Sequence, residues 1–404
     1  MSVAPSQHSS AASAASFVVP TTGVPLLDVN RQYQAIRAEI AAAMAAVCDS
    51  GRFVLGPDCD KLEADLAAYC HAPHGVACAS GSDALLLALM ACDIRPGDEV
   101  LMPSYTFFAT ASAAWRLGAK PVFVDIDPVS YNINPALVEN LITNRTKAII
   151  PVHLFGQCAD MNALAPITKR HGLYVIEDAC QAVGAELDGR RVGSLGAIGC
   201  FSFYPTKNLG GFGDGGLMTA TSAGLAERLK LLRAHGMQPR YYHHVVGLNS
   251  RLDTLQAAVL NVKLRYLDAW TALRQANAER YAELFNEAGL DRVLTLPVAA
   301  KNCRHVWNQY VIRVPDGRRD TLRAFLNERK IGSEIYYPVP LHLQQCFRDL
   351  GYETGSLPHS ERAAEETLAL PIFPELTARE QRTVVAAIGA FFGISGEKAA
   401  RKAG

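Results

Sequence analysis

From Val76 onward, short apolar runs alternate with stretches of helical periodicity. The runs Val100-Leu101-Met102, 121–126, 147–153, 173–177, 198–203 and 216–220 are apolar along most of their length, not only at every second position. A strand apolar on both sides is buried on both, so this pattern predicts an α/β layer built on a mainly parallel sheet. In such sheets ligands collect at the strands' carboxyl ends. After Thr254 the period changes. Leu252, Leu255, Val259, Val262 and Tyr266 recur at steps of three and four, and Leu260, Leu264 and Leu267 form a second stripe beside them. One long helix with two apolar stripes needs two burial partners. The expectation is its own sheet on one side and a second copy of the chain on the other, with the small domain of the same chain as the alternative cover. Beyond Val293 the signals mix: strands at 310–314 and 334–337, helices at 319–330 and around 377–392. The division expected is a flexible tail at 1–24, a large α/β domain at 25–270, a smaller α+β domain at 271–395 and a frayed tail at 396–404.

Composition narrows the function classes. The chain's 404 residues suit two or three domains of about 150 residues each. Thirty-nine Lys plus Arg balance 39 Asp plus Glu, which removes the general attraction to phosphate backbones that a nucleic-acid binder needs. No nucleic-acid partner is expected. Hydrophobic residues at 49% and charged residues at 19% describe a globular chain, and no apolar run reaches the roughly 18 to 20 residues of a membrane span. Ten cysteines show no Cys-x-x-Cys pair, so neither a zinc site nor a disulfide scaffold is indicated. The Ser/Ala-rich start lacks a basic segment followed by an unbroken apolar one, so it is expected to be a flexible tail and not a signal peptide, and the expected location is reducing and cytoplasmic.

The candidate chemistry lies in three segments. Phe201-Ser202-Phe203-Tyr204-Pro205-Thr206-Lys207-Asn208 places a hydroxyl and an amine just past an apolar strand and ahead of a glycine-rich stretch. A lone lysine is usually a solvated surface charge; here buried surroundings would make it a nucleophile toward an aldehyde. Val175-Ile176-Glu177-Asp178-Ala179-Cys180-Gln181 brings a carboxylate to a strand's carboxyl end, with a helix cap as the plainer reading of Asp178. Lysine and aspartate together suit pyridoxal phosphate, which needs a Schiff-base lysine and an acid that keeps its ring nitrogen protonated. Ala79-Ser80-Gly81-Ser82-Asp83 opens a helix whose first N–H groups could cradle a phosphate, or could form no more than an ordinary cap. Phe107, after the Val100 strand, could stack on the ring or belong to the core. Gly211-Phe212-Gly213-Asp214-Gly215-Gly216 fits a dinucleotide fingerprint by letter only, because a strand and not a helix follows it.

In order along the chain, Ser-Gly-Ser-Asp-Ala-Leu, Glu-Asp-Ala-x-Gln-Ala, Phe-Ser-Phe-Tyr-Pro-Thr-Lys-Asn and Gly-Leu-Asn-Ser-Arg-Leu-Asp resemble the DegT/DnrJ/StrS family of sugar aminotransferases. The similarity spans 25–392. It implies a fold-type-I pyridoxal-phosphate enzyme, a homodimer with shared active sites, acting on an amino acid and a nucleotide-linked keto-sugar. By position, Lys207 matches the Schiff-base lysine, Asp178 the partner of the pyridine nitrogen and Gln181 the residue beside the ring hydroxyl. Gly81, Ser82 and Ser202 match phosphate contacts, Phe107 the stacking ring, and Asn249 a phosphate contact from the other subunit. Arg251, Tyr336 and His342 are carried over as substrate contacts. Asp214 stands where the family more often has Glu, and Ser82 where Thr is common; each keeps its functional group. Family members with His at the lysine position are dehydratases, a branch that Lys207 excludes. The Asn-Ser-Arg-Leu-Asp run and Tyr336-Tyr337-Pro338-Val339-Pro340-Leu341-His342 look more like members that aminate C3 than C4, with L-glutamate as donor. The rivals are C4 amination, a non-catalytic pyridoxal-phosphate regulatory protein, and another fold-type-I reaction such as desulfuration, for which Cys180 and Cys200 look too much like core thiols.

Overall fold

The computed structural model describes residues 23–394, so the expected tails lie outside the described residues except for Gly23 and Val24. Val24 is buried and bridges Ile331, so the described chain is already packed before residue 25, and it is packed on the small domain. The strands are β1 (His74–Cys78), β2 (Glu99–Pro103), β3 (Lys120–Val124), β4 (Thr146–Ile149), β5 (Tyr174–Asp178), β6 (Glu186–Leu187), β7 (Arg190–Arg191), β8 (Ile198–Ser202), β9 (Gly216–Ala220), β10 (Cys303–Arg304), β11 (Tyr310–Arg313) and β12 (Thr367–Leu370). The helices are α1 (Val29–Ser50), α2 (Pro57–Tyr69), α3 (Gly81–Ala91), α4 (Ala109–Arg116), α5 (Pro135–Val138), α6 (Met161–His171), α7 (Ala223–Leu232), α8 (Thr254–Leu264), α9 (Leu267–Glu287), α10 (Arg319–Glu328), α11 (Pro358–Glu366) and α12 (Ala378–Phe392).

Seven strands form the central sheet in the order β1-β9-β8-β5-β4-β2-β3. Pairing is parallel from β8 through β5, β4 and β2 to β3, and β9 runs antiparallel to both β8 and β1. Each of the six predicted strands is present, and the mainly parallel sheet is as expected. Successive side chains point to opposite faces, which explains the unbroken apolar runs. Val100 and Met102 join the cluster containing Leu85 and Leu89 of α3 and Leu229 of α7, while Leu101 joins the opposite cluster with Leu62 and Leu66 of α2 and Leu260 of α8. Each such buried side chain contributes roughly 1.5–3 kcal/mol.

The expected single long helix is two. α8 ends at Leu264 and α9 begins at Leu267, with the Tyr266 ring stacked on Trp270 at 5.7 Å. The partner of the outer stripe also differs from expectation. Val259, Val262 and Trp270 pack against Ile36 and Ile40 of α1, an i,i+4 pair from the same chain. Helix α1 of the same chain, not the small domain, packs on that stripe. Helix α9 then crosses the domain boundary: Leu267 belongs to the sheet core, whereas Tyr281 and Phe285 belong to a second core with Tyr310, Leu322, Leu368 and Val384. That second core holds the antiparallel pair β11 and β12, with α10 and α12 packed around it. The expected strand at 334–337 is absent. Only Glu334 bridges Ala369, and the following residues form a loop that reaches back to the sheet.

Candidate active site

β5 ends on two acidic residues that serve opposite sides. Glu177 is fully buried; its carboxylate accepts N–H bonds from Gly193, Leu195 and Gly196 at 2.7–2.9 Å. His153 Nδ1 accepts the Ala159 N–H, so its proton sits on Nε2 and is donated to Glu177 at 2.9 Å. This network fixes the strand end from behind. Asp178, also buried, accepts from Thr110 Oγ1 at 2.8 Å on one oxygen and from the Cys180 N–H at 3.3 Å on the other. No helix starts directly after it, which removes the helix-cap reading.

Lys207 follows β8 on a tight turn closed by its own N–H to the Tyr204 carbonyl at 2.8 Å. Asn208 anchors that turn by donating to the Val306 carbonyl at 2.9 Å. Burial pushes the Lys207 amine below its ordinary value, against the opposing pull of Cys180 and Asp178. Cys180 is itself a thiol pushed well up by burial, so it stays neutral. Asp178 is therefore the charge that Lys207 meets.

Ser80 caps α3, its Oγ accepting the Asp83 N–H at 3.1 Å. That leaves the Gly81 and Ser82 N–H groups without intrahelical partners at the positive end of the helix. A Cβ on Gly81 would stand 2.6 Å from Ser202 Cβ, and one on Gly216 2.4 Å from the Ser80 carbonyl oxygen. Only glycine lets α3 approach the ends of β8 and β9 so closely. Ser202 Oγ accepts the Tyr204 N–H at 3.3 Å and keeps its proton to donate. Beside the cradle, Ser250 Oγ bonds Asp83 at 2.7 Å. Its neighbour Asn249 is exposed, and Arg251 is half-buried with no ion pair among the described residues.

The other predicted residues divide. Gln181 is buried, accepting the Phe155 N–H at 2.8 Å and donating to Tyr337 Oη at 2.9 Å. Phe107 is 54% exposed, with its ring 6.0 Å from that of Tyr337. Tyr336 contributes its backbone carbonyl, which accepts a bond from Tyr105 Oη. Tyr105 also bonds Thr367 of β12 at 2.6 Å, so one buried phenol ties the loop and the small domain to the large one. His342 differs from expectation: it is fully buried, with Nδ1 on Ser104 at 2.6 Å and Nε2 on Glu361 at 3.1 Å. Both nitrogens are engaged, so the ring has none to offer a substrate. Thr110 and Tyr337 were not singled out by the sequence. The first carried a signal, because hydroxyls at Thr106 and Thr110 are four apart and meet at 3.1 Å.

A buried amine, a buried carboxylate, an anion cradle at the start of α3 and an exposed aromatic ring fit pyridoxal phosphate group by group. A doubly wound sheet with that site defines a fold-type-I pyridoxal-phosphate-dependent aminotransferase. The model of the DegT/DnrJ/EryC1/StrS aminotransferase family matches residues 34–389, and the chain belongs to that family. It is 53% identical over 369 residues to a pleiotropic regulatory protein of Geobacillus stearothermophilus, covering 91% of this chain and 98% of that one. It is 46% identical over 368 residues to a dTDP-3-amino-3,4,6-trideoxy-alpha-D-glucose transaminase of Streptomyces venezuelae, covering 91% and 96%. A crystal structure of S. venezuelae DesV in complex with a ketimine intermediate superposes with a TM-score of 0.88 at 44% identity, covering 92% and 99%.

Proposed function

We propose that the protein moves an amino group from L-glutamate to C3 of a nucleotide-linked 3-keto-sugar. The observation that carries this is the buried Lys207 amine, depressed by that burial while the Asp178 carboxylate lies near enough to pull the other way. Bound pyridoxal phosphate supplies an electron sink for the carbon that gains or loses nitrogen. The chain's own residues do the rest. Asp178, its carboxylate held by Thr110, keeps a proton on the ring nitrogen. Gly81, Ser82 and Ser202 hold the phosphate, Gln181 stands beside the ring hydroxyl, and Phe107 covers a ring face. Lys207, neutral more readily than an exposed lysine, would carry a proton from the donor's α-carbon to the cofactor in one half-reaction and from the cofactor to the sugar carbon in the other. Asn249 reaches the phosphate of a second subunit in a homodimer, and Arg251 and Tyr336 contact the sugar nucleotide. Exposed apolar residues near the site support that assembly: Phe53, Val54, Tyr204 and Phe212. Phe53 accepts the Thr254 N–H through its carbonyl, a few residues past Asn249. Among the described residues no helix is long and apolar enough to cross a membrane, and the free thiols support a cytoplasmic setting.

The name of the Geobacillus relative favours a second reading, a regulatory protein that binds the cofactor without transfer. One experiment separates the readings. The holoenzyme is given 15N-glutamate, then dTDP- or UDP-linked 3-keto- and 4-keto-sugars, and products are examined by NMR. Nitrogen on C3 is expected. Nitrogen on C4 overturns the regiochemistry, and retained cofactor with no transfer favours the regulatory reading.

A further inference from the structure

Two of the ten thiols adjoin one another. The Cys158 N–H donates to Cys303 Sγ at 3.3 Å, and Cys303 is half-buried while Cys158 lies behind it. The hydrogen bond from the Cys158 thiol, with that from its backbone N–H, pulls Cys303 below its ordinary value, although burial opposes it. Cys158 is pushed well up, first by Cys303 and then by burial. The more reachable thiol is thus also the better nucleophile. Cys70 and Cys78, by contrast, are pushed far up chiefly by burial, and neither has a thiol hydrogen bond among its causes.

Their place in the fold gives the pair a consequence. Cys158 ends the segment whose Phe155 N–H holds Gln181, and Cys303 opens the segment whose Val306 carbonyl holds Asn208, the residue after Lys207. The two segments are already stitched by Val306 N–H to the Gly156 carbonyl and Asn308 N–H to the Phe155 carbonyl, each 3.0 Å. A bond between the sulfurs would close that seam covalently at the end beside the β10–β6 pairing.

We propose that Cys158 and Cys303 form a reversible disulfide that locks the seam between the lysine turn and the Gln181 segment, made by exchange with a low-molecular-weight disulfide. Cys303 as thiolate attacks one sulfur of the small disulfide and expels the other as a thiolate. Cys158 then loses its proton and attacks Cys303 Sγ, expelling the second small thiolate. The protein dithiol is oxidised by two electrons, the small disulfide is reduced to two thiols, and the two cysteine protons end on them.

The test uses the holoenzyme carrying Cys48→Ser and Cys346→Ser, which removes the two exposed thiols. It is incubated with oxidised glutathione, blocked with iodoacetamide and mapped by mass spectrometry. A linked Cys158–Cys303 peptide pair is expected, with the protein lighter by two hydrogen atoms and a higher thermal midpoint that dithiothreitol reverses. Cys158→Ser should stop at one glutathione on Cys303, and Cys303→Ser should take up none at Cys158. Both thiols alkylated after oxidation, or a linkage between other cysteines, would overturn the proposal. A linked pair with an unchanged midpoint would overturn the lock.

Discussion

Thr110 is the residue on which the site's acid depends most directly. Its hydroxyl engages one oxygen of a buried carboxylate, and the 3.3 Å bond from Cys180 engages the other only weakly. Removing a hydrogen bond to a buried charge costs about 1.5–3 kcal/mol. Thr110→Val should therefore retain the cofactor and slow the glutamate half-reaction roughly tenfold to a hundredfold, with Thr110→Ser recovering most of the rate. Asp178→Asn should also retain the cofactor but lose most transamination, because an unprotonated ring is a poor electron sink. Single-turnover rates beside cofactor absorbance check both; an unimpaired Asp178→Asn would leave that residue without a part in the chemistry. At this scale the sequence showed lysine, aspartate and cradle clearly, since each lies at or just past a strand end or starts a helix. It showed the supporting shell poorly. Thr110 sits at the start of the alanine-rich helix α4, which reads as packing, and whether Tyr336 or Tyr337 meets Gln181 depends on a loop path set by Tyr105 and Thr367, far away in sequence.

Helix α8 carries a buried lysine outside the proposed chemistry. Lys263 donates to the Gly210 carbonyl at 2.6 Å, and burial lowers it from 10.5 to about 8. Between those values the unfolded chain binds more protons at this site than the folded one, so stability rises with pH across the window. Below about pH 8 both forms are protonated and the burial cost is constant. Chemical unfolding of the protein and of Lys263→Met at pH 7.5 and pH 10, chosen as roughly bracketing that window, measures the term. The protein should gain about 2–3 kcal/mol relative to the variant over the interval; parallel curves would mean that Lys263 is solvated. The break after α8 was not legible, because no glycine or proline marks it and the apolar period runs on in phase. It is held from outside: Arg265 and Tyr266 both bond Glu39 of α1. The same helix buries the outer stripe, a role that the sequence pattern had left to a second copy.

Across the whole molecule, the sheet was legible because strands buried on both faces announce themselves, whereas the cover of a helix stripe depends on which distant segment arrives. With α1 in that place, the shared-site proposal rests on the exposed Asn249 and the apolar surface near it, not on the stripe. Mixing a Lys207→Ala subunit with an Asn249→Asp subunit tests it. If Asn249 acts across a two-fold interface, each mixed dimer has one intact site, and about a quarter of the full activity should return after exchange. If every site keeps one lesion, nothing returns and the shared site is lost. The central claim, that this chain transfers nitrogen through Lys207, has a more direct test. Holoenzyme is mixed anaerobically with excess L-glutamate and no sugar, and released 2-oxoglutarate is counted per subunit, beside the same measurement on Lys207→Ala reconstituted with cofactor. One equivalent from the protein, with nitrogen retained on its cofactor, and none from the variant on the same timescale is the predicted result. No 2-oxo acid from a fully loaded protein, or an equal burst from Lys207→Ala, would contradict it.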